Sequence, residues 1–440
     1  MRFTPTGQEN IDARPMTPPT RPILAWALYD VANSAFATTV MAGFFPIFFR
    51  EFWSAGAGDN STFWLGVTNS IASLLVALSA PLLGALADLA GWRKKMLLAF
   101  ALAGCLGTAG LSVVPAGAWP WASALYALAV LGFLGGNVFY DALLVDVASP
   151  AQRSAVSSLG FGLGYLGGGV LFAINVAMTL WPEAFGLASK AAAIQISFLT
   201  VAAWWAVFAM PLQRWVTESA TRQRHVHTRQ LAGIALRNVW HTLRAAREMR
   251  NVWLFLLAYW CYIDAIDTII VMAVDYGLRL GLASTDLIAA LLLTQFVGFP
   301  AALGFGWLST RVGVKPMLVG ALLIYAGVII GAYFMTAPRD FYILAAVIGL
   351  VQGGVQALSR ALYSCLIPAD RAAEFFGFYN VLGKFAALLG PLLVGLVSAL
   401  VDNPRWSVLS LLPLLIIGIA LLTRVHTASN AASTNTVNHQ

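Results

Sequence analysis

Twelve runs of mostly apolar residues follow one another along the chain, each about 20 residues or longer, enough for an α-helix to cross about 30 Å of hydrocarbon. In lipid every backbone N–H and C=O has to be satisfied within the protein, which leaves helices and closed barrels. The runs are continuous rather than alternating, so a barrel is excluded. Of 440 residues only 10% are charged and 59% are hydrophobic, against about 25% charged in soluble domains. The expected fold class is an all-α membrane protein with transmembrane helices over 24–49, 62–87, 96–116, 119–147, 155–180, 190–212, 252–276, 284–309, 316–336, 341–366, 375–400 and 405–425.

The longest hydrophilic segment, 213–250, divides the spans six and six, which gives an N-terminal bundle over 23–212 and a C-terminal bundle over 251–425. Residues 1–22, with Pro15, Pro18, Pro19 and Pro22, read as a disordered tail rather than a signal peptide, and 426–440 as a second tail. Within the linker, Leu231, Ile234, Val239 and Leu243 recur at helical spacing among Arg237, Arg244, Arg247 and Arg250. An amphipathic helix of that kind suits either an anionic leaflet or a solvated connection. With both termini inside, 19 basic residues fall on the cytoplasmic side and five on the other, so the positive-inside rule predicts cytoplasmic termini. The localisation expected is multi-pass, in a bacterial inner membrane.

The halves resemble each other. Gly84-x-x-x-Asp88-x-x-Gly91-x-Arg93-Lys94 after the second span is echoed by Gly306-x-x-x-Thr310-x-x-Gly313-x-Lys315 after the eighth; Pro150-Ala151-Gln152-Arg153 is echoed by Pro368-Ala369-Asp370-Arg371. Internal duplication of this kind builds many secondary transporters.

Polar residues inside the spans form stripes. Asp30, Asn33 and Ser34 share one face of the first span, Asn137 and Asp141 of the fourth, Asp264 and Asp267 of the seventh. Gln352, Gln356 and Arg360 recur every fourth residue in the tenth, and Asn380 and Lys384 in the eleventh. A carboxylate at the centre of a lipid-facing helix costs about 2.5–3.5 kcal/mol on insertion scales, so these acids imply a protein-lined or watered cavity. Acids gather on spans one, four and seven and bases on ten and eleven, an arrangement suited to a zwitterion. Asp146 and Asp275, near span ends, read as water-reached and structural.

The Gly84–Lys94 loop resembles the loop signature of the major facilitator superfamily. Tyr29-Asp30 with Ala32-Asn33-Ser34, and Gln356-Ala357-Leu358-Ser359-Arg360 with Glu374-Phe375-Phe376-Gly377-Phe378-Tyr379-Asn380, resemble the vacuole-effluxer branch and its bacterial relatives, the unknown-major-facilitator family. The resemblance implies two pseudo-symmetric six-helix bundles with spans one, four, seven and ten around a central cavity. It implies that Asp88 meets the start of span eleven, near Glu374–Gly377, and holds the cytoplasmic side closed, with Gly84, Gly91, Arg93 and Lys94 as the rest of that gating loop. The substrate and coupling set expected is Tyr29, Asp30, Asn33, Asn137, Asp141, Asp264, Asp267, Gln352, Gln356, Arg360, Asn380 and Lys384.

The expected activity is secondary active transport of a small polar or zwitterionic solute, amino acids among them, with protons as candidate coupling ions and a monomer as the working unit. The alternatives are a permease for larger amphiphilic cargo, such as a peptide, wall fragment or drug, and a non-transporting receptor. No catalytic cluster, cofactor, metal site or nucleic-acid partner is expected. Gly162-x-Gly164-x-x-Gly167 matches a dinucleotide fingerprint in letters only, since it lies inside an apolar span. Gly160, Gly164 and Gly168 read instead as a helix-packing face. Gly383-Lys384 lacks the rest of a P-loop, and Trp53, Trp64, Trp119, Trp121 and Trp181 near span ends read as interface anchors.

Overall fold

The chain is all helix among its described residues, 19–54, 61–218, 249–279, 284–401 and 404–426 of the computed structural model. The first bundle holds α1 (Arg21–Trp53), α2 (Ser61–Ala90), α3 (Arg93–Leu111), α4 (Trp119–Val147), α5 (Arg153–Leu180) and α6 (Lys190–Trp215). The second holds α7 (Arg250–Arg279), α8 (Ser284–Val312), α9 (Val314–Phe334), α10 (Pro338–Leu366), α11 (Ala372–Leu400) and α12, built from Pro404–Leu409 and Leu412–Thr423. Among the described residues eleven segments are long and apolar enough to cross a membrane, and α11, at 29 residues, is the twelfth helix of that length class. The amphipathic segment expected in the linker falls on 219–248, outside the described residues.

Helix pairing repeats between the halves. In the first, α1 packs on α5 and α6, α3 on α4 and α6, and α2 on α4; adding six to each number gives the packing of the second. The contacts across the halves obey the same rule, α2 with α11 as α5 with α8, and α4 with α11 as α5 with α10. The loop glycines repeat too. Gly91 and Gly313 both hold a left-handed backbone, with φ of 65° and 101°, a conformation that glycine adopts without steric cost.

Small residues let the halves touch. A Cβ on Gly84 would collide with the Ala373 backbone, and one on Gly306 would meet the Ser158 side chain. Within the first bundle Gly160, Gly164 and Gly168 bring α5 against Trp26, Asp30 and Ser34 of α1, the packing face expected from their spacing. Outward, Leu78, Leu106, Val113 and Leu396 are 60–79% exposed; such an apolar girdle is what lipid solvates.

α1 departs from ideal geometry. It widens into π-helix over Phe36–Phe44 and Phe49–Trp53, flanking Pro46, which brings no N–H to the ladder. Trp53 corrects an expectation: rather than anchoring at the interface it is fully buried, with its ring stacked on Phe198 and its indole N–H donated to Val114 O at 3.2 Å. Trp121 and Trp181, by contrast, are exposed.

Candidate functional site

Between the bundles lies a polar cavity of about 360 Å³. α1 contributes Asp30, Asn33, Ser34 and Thr38; α4 contributes Asn137, Tyr140 and Asp141; α10 contributes Gln352, Gln356 and Arg360. Asp267 and Tyr259 enter from α7, Tyr379 and Asn380 from α11, Phe161 and Tyr165 from α5, and Gln295 from α8. The i, i+3 or i+4 stripes of α1, α4 and α10 thus put their polar faces on the cavity.

Arg360 is the centre of the wall nearest the basic end of the molecule. Its guanidinium donates to Asp141 Oδ1 at 3.1 Å, to Ser157 Oγ at 2.9 Å and to the Ser157 carbonyl at 3.0 Å. Asp30 Oδ2 lies 3.8 Å from it. The rings of Phe161, Trp26 and Tyr140 sit 4.4, 4.7 and 5.1 Å from the guanidinium carbon, close enough for cation–π attraction. The acids are held from behind: Tyr140 donates its hydroxyl to Asp30 at 3.1 Å, and Asn380 donates its amide to Asp141 at 3.2 Å. Two carboxylates from one half therefore share one cation from the other, all three residues less than 10% exposed. Asn33 donates to Asn137 at 2.6 Å on the next turn.

Two of the expected residues fall elsewhere. Tyr29 is fully buried behind Tyr140, 5.1 Å between ring centroids, and does not line the cavity. Asp264 turns away toward α11, where it accepts the Gly390 N–H at 3.0 Å. Lys384 lies on α11, with its side chain outside the described residues. Six aromatic wall residues, Phe133, Tyr140, Phe161, Tyr165, Tyr259 and Tyr379, were not expected; their apolar rings carry no stripe signal, and only Tyr140, beside Asp141, and Tyr379, beside Asn380, had a positional hint.

A second chamber of about 310 Å³ opens beside the first and shares Ala37, Thr38, Tyr165, Gln295 and Gln352 with it. Apart from Thr294 its other walls are apolar, among them Ile269, Leu291, Met335, Phe341, Ile348 and Leu411.

Toward the basic end the halves are bolted together. Both oxygens of Asp88 accept from the first turn of α11, from Ala373 N at 3.2 Å and Glu374 N at 2.9 Å. These are donors that a helix start leaves unpaired, at the positive end of its dipole. Arg93 donates to Asp88, to Asp146 at 2.9 Å and across the halves to Ala369 O at 2.9 Å. Asp146 is thus buried and ion-paired rather than water-reached, which corrects the reading from its place near a span end. Arg153 adds a bond to Ser364 O at 2.6 Å. These inter-half hydrogen bonds lie at the cavity, where Gln295 also donates to Thr38 at 2.7 Å, or between it and this end. The echo in the second half lacks the acid: Thr310 stands at the position of Asp88 and is bonded within its own helix to Trp307 O.

Glu218 carries no motif that announces its role. Just beyond α6, its two oxygens accept from Arg93 N at 3.1 Å and Lys94 N at 2.8 Å, capping α3. Burial raises this carboxyl above the usual range, opposed by those two bonds. An acid whose folded pKa lies above its unfolded value contributes stability that is greatest below the unfolded value and is lost as pH rises through the folded one. Unfolding in detergent at a series of pH values should show that decline in the wild type, and Glu218→Gln should lack this part of it.

The family model for vacuole effluxer Atg22-like proteins matches residues 59–434. The chain belongs to the Atg22-like vacuole effluxer family. Within it, the chain is 39% identical over 404 residues to an uncharacterized transporter of the major facilitator type, YxiO of Bacillus subtilis, covering 91% of this chain and 94% of that one. Autophagy-related protein 22 of Eremothecium gossypii is 25% identical, with 92% and 90% covered. Among solved structures, the proton:xylose symporter XylE superposes with a TM-score of 0.67 at 15% identity over 92% of this chain and 94% of that one. FucP in its outward conformation gives 0.67 at 13% identity, over 93% and 98%. The Atg22-like chain therefore has the major facilitator fold, and it is a multi-pass membrane transporter rather than an enzyme.

Proposed function

We propose that this effluxer-family chain is a secondary active transporter that moves a small zwitterionic solute, an amino acid being the simplest, by alternating access around the polar cavity. The observation that carries the reading is the triad of Asp30, Asp141 and Arg360 in the cavity wall. It offers carboxylates for an ammonium group and a guanidinium for a carboxylate, within one solute's length. Asp30 and Asp141 are the first choices for binding the amine or carrying a coupling proton; Arg360 pairs with them when the site is empty, and Lys384 is the second candidate anchor for a carboxylate.

Under this reading both termini are cytoplasmic in a bacterial plasma membrane, on the strength of 19 basic residues against five. The bolted end then faces the cytoplasm, and Asp88 is its latch. Residues 23–212 and 251–425 rock as two bodies, and the working unit is a monomer. The apolar chamber favours one extension: a 150 Å³ apolar cavity accepts a benzene, so about 310 Å³ leaves room for cargo with a substantial apolar part beside its charged end.

The test is a thermal-shift screen on purified protein, beginning with amino acids and continuing with peptides and sugars, because a ligand that binds the folded form raises its stability. Zwitterions are expected to raise the melting temperature of the wild type and to have no effect on Arg360→Gln. A response confined to sugars or lipids would overturn the reading. Hits are then carried into counterflow in proteoliposomes, where a receptor would show binding without exchange.

A further inference from the structure

Asp264 is a buried acid that the cavity does not use. It is 1% exposed, and Thr268, one turn on along the same face of α7, is also 1% exposed. Asp264 Oδ1 accepts the Gly390 N–H at 3.0 Å, whereas Asp264 Oδ2 and the Thr268 hydroxyl have no hydrogen-bond partner. Both groups press on α11 at Gly390, where a Cβ would collide with the Thr268 hydroxyl. The next residue is Pro391, which brings no N–H to the helix. At this point of α11, then, one backbone donor is missing and its neighbour is engaged by α7, the usual circumstances of a helix kink.

An ionised carboxylate accepts at both oxygens, and a protonated one can also donate. The ionised form leaves Oδ2 bare in the membrane interior. The protonated form removes that charge and supplies one O–H, for which the Thr268 oxygen, one turn on and likewise without a partner, becomes an acceptor once the two side chains turn toward each other. The same proton removes the charge that strengthens the bond from Gly390.

We propose that Asp264 is a proton-binding site separate from the cavity, with Thr268 as hydrogen-bond partner of its protonated carboxyl, and that a proton there loosens the hold of α7 on the break in α11 at Gly390–Pro391. The ionisable groups near it are few. Cys261, Tyr262 and Asp267 lie on its own helix; α11 brings Lys384, six residues before Gly390, α10 brings Arg360, which is engaged by Asp141 at the cavity, and the stretch of α12 packed on α7, Leu412–Thr423, brings no ionisable side chain. With the proton bound, the ties that remain on α11, Asp88 at its first turn, Tyr363 at the Phe375 carbonyl and Asp141 at Asn380, all lie before the break, so its two segments can move apart. The ligand is H⁺ alone, with no co-reactant.

Infrared difference spectra of the full chain in proteoliposomes, taken on acidification, test the site without any substrate. A carbonyl stretch of a buried protonated carboxyl should appear, vanish in Asp264→Asn, survive in Asp30→Asn and Asp141→Asn, and shift in Thr268→Val, which removes the partner but keeps the acid. In parallel, hydrogen exchange over 385–395 should rise about tenfold on acidification, the change expected for weakening one charge-assisted bond, and lose its pH response in Asp264→Asn. A band that persists in Asp264→Asn, or exchange that ignores pH in the wild type, overturns the proposal. So does an exchange response to sodium at fixed pH, which would make the ligand an alkali cation. Neither readout involves cargo, so failure here leaves the cavity reading standing, and failure of the ligand screen leaves this one standing.

Discussion

Arg360→Gln is expected to abolish transport and to remove about 3–5 kcal/mol of stability, the usual consequence of deleting one partner of a buried ion pair. The variant leaves Asp30 and Asp141 in the same wall without their cation and strands the Ser157 contacts that tie α10 to α5. The single carboxamides should be milder, because each leaves Arg360 one acid. The informative variant is the triple replacement Asp30→Asn, Asp141→Asn, Arg360→Gln. With no charge left to strand, it should recover most of the stability while transport stays lost, because a neutral wall has nothing to offer either end of a zwitterion. A double-mutant cycle between Arg360 and each acid, read by chemical unfolding, apportions the coupling. Recovery of transport in the neutral triple variant would reduce the triad to a packing device.

The members of that triad, though not which acid pairs with which base, were legible in the sequence because lipid punishes polar residues unless a cavity receives them, so a polar stripe in a span points inward. Nine of the twelve residues expected at the cavity line it; Lys384 has its side chain outside the described residues, and the other two have physical causes. Asp264 and Asp267 are three residues apart, a separation of about 60° around a helix of 3.6 residues per turn. The edge where α11 packs on α7 falls within that angle, so one acid meets the cavity and the other meets Gly390. Tyr29 lies next to Asp30 and hence about 100° away, on the face that packs against Tyr140.

Backbone partners outside the Asp88 loop left no trace in the sequence. Glu218 and Arg153 owe their roles to amides and carbonyls contributed by distant turns, and no side-chain pattern encodes those. The twelve spans and the pairing of the halves were readable for the opposite reason. Run length is set by the bilayer, and the loop glycines that repeat at Gly91 and Gly313 are fixed by a backbone conformation.

Closure of the basic end gives the other large effect. Gly84→Val should prevent it outright, because the added side chain meets the Ala373 backbone, which cannot step aside without moving α11. Overpacking of this sort costs about 1–3 kcal/mol even where neighbours are side chains that can yield. Asp88→Asn is the graded version: it keeps an acceptor for one α11 amide but loses the charge facing the helix start, and Arg93 retains Asp146 and Ala369 O. A loss of about 2 kcal/mol from the closed state corresponds to roughly a thirtyfold shift in population toward opening at that end. Ser364 is fully buried beneath the closed halves, so Ser364→Cys in a background lacking Cys105, Cys261 and Cys365 reports the change. Its labelling by a maleimide in detergent should be slow with Gly84 and Asp88 intact, roughly thirtyfold faster with Asp88→Asn, and fastest with Gly84→Val. Thr310→Val, at the matching position of the second half, should leave labelling unchanged, because that hydroxyl is bonded to its own helix and crosses no interface. Equal acceleration by Asp88→Asn and Thr310→Val would mean that the loops act only as turns, and the asymmetry between the halves would lose its mechanical meaning.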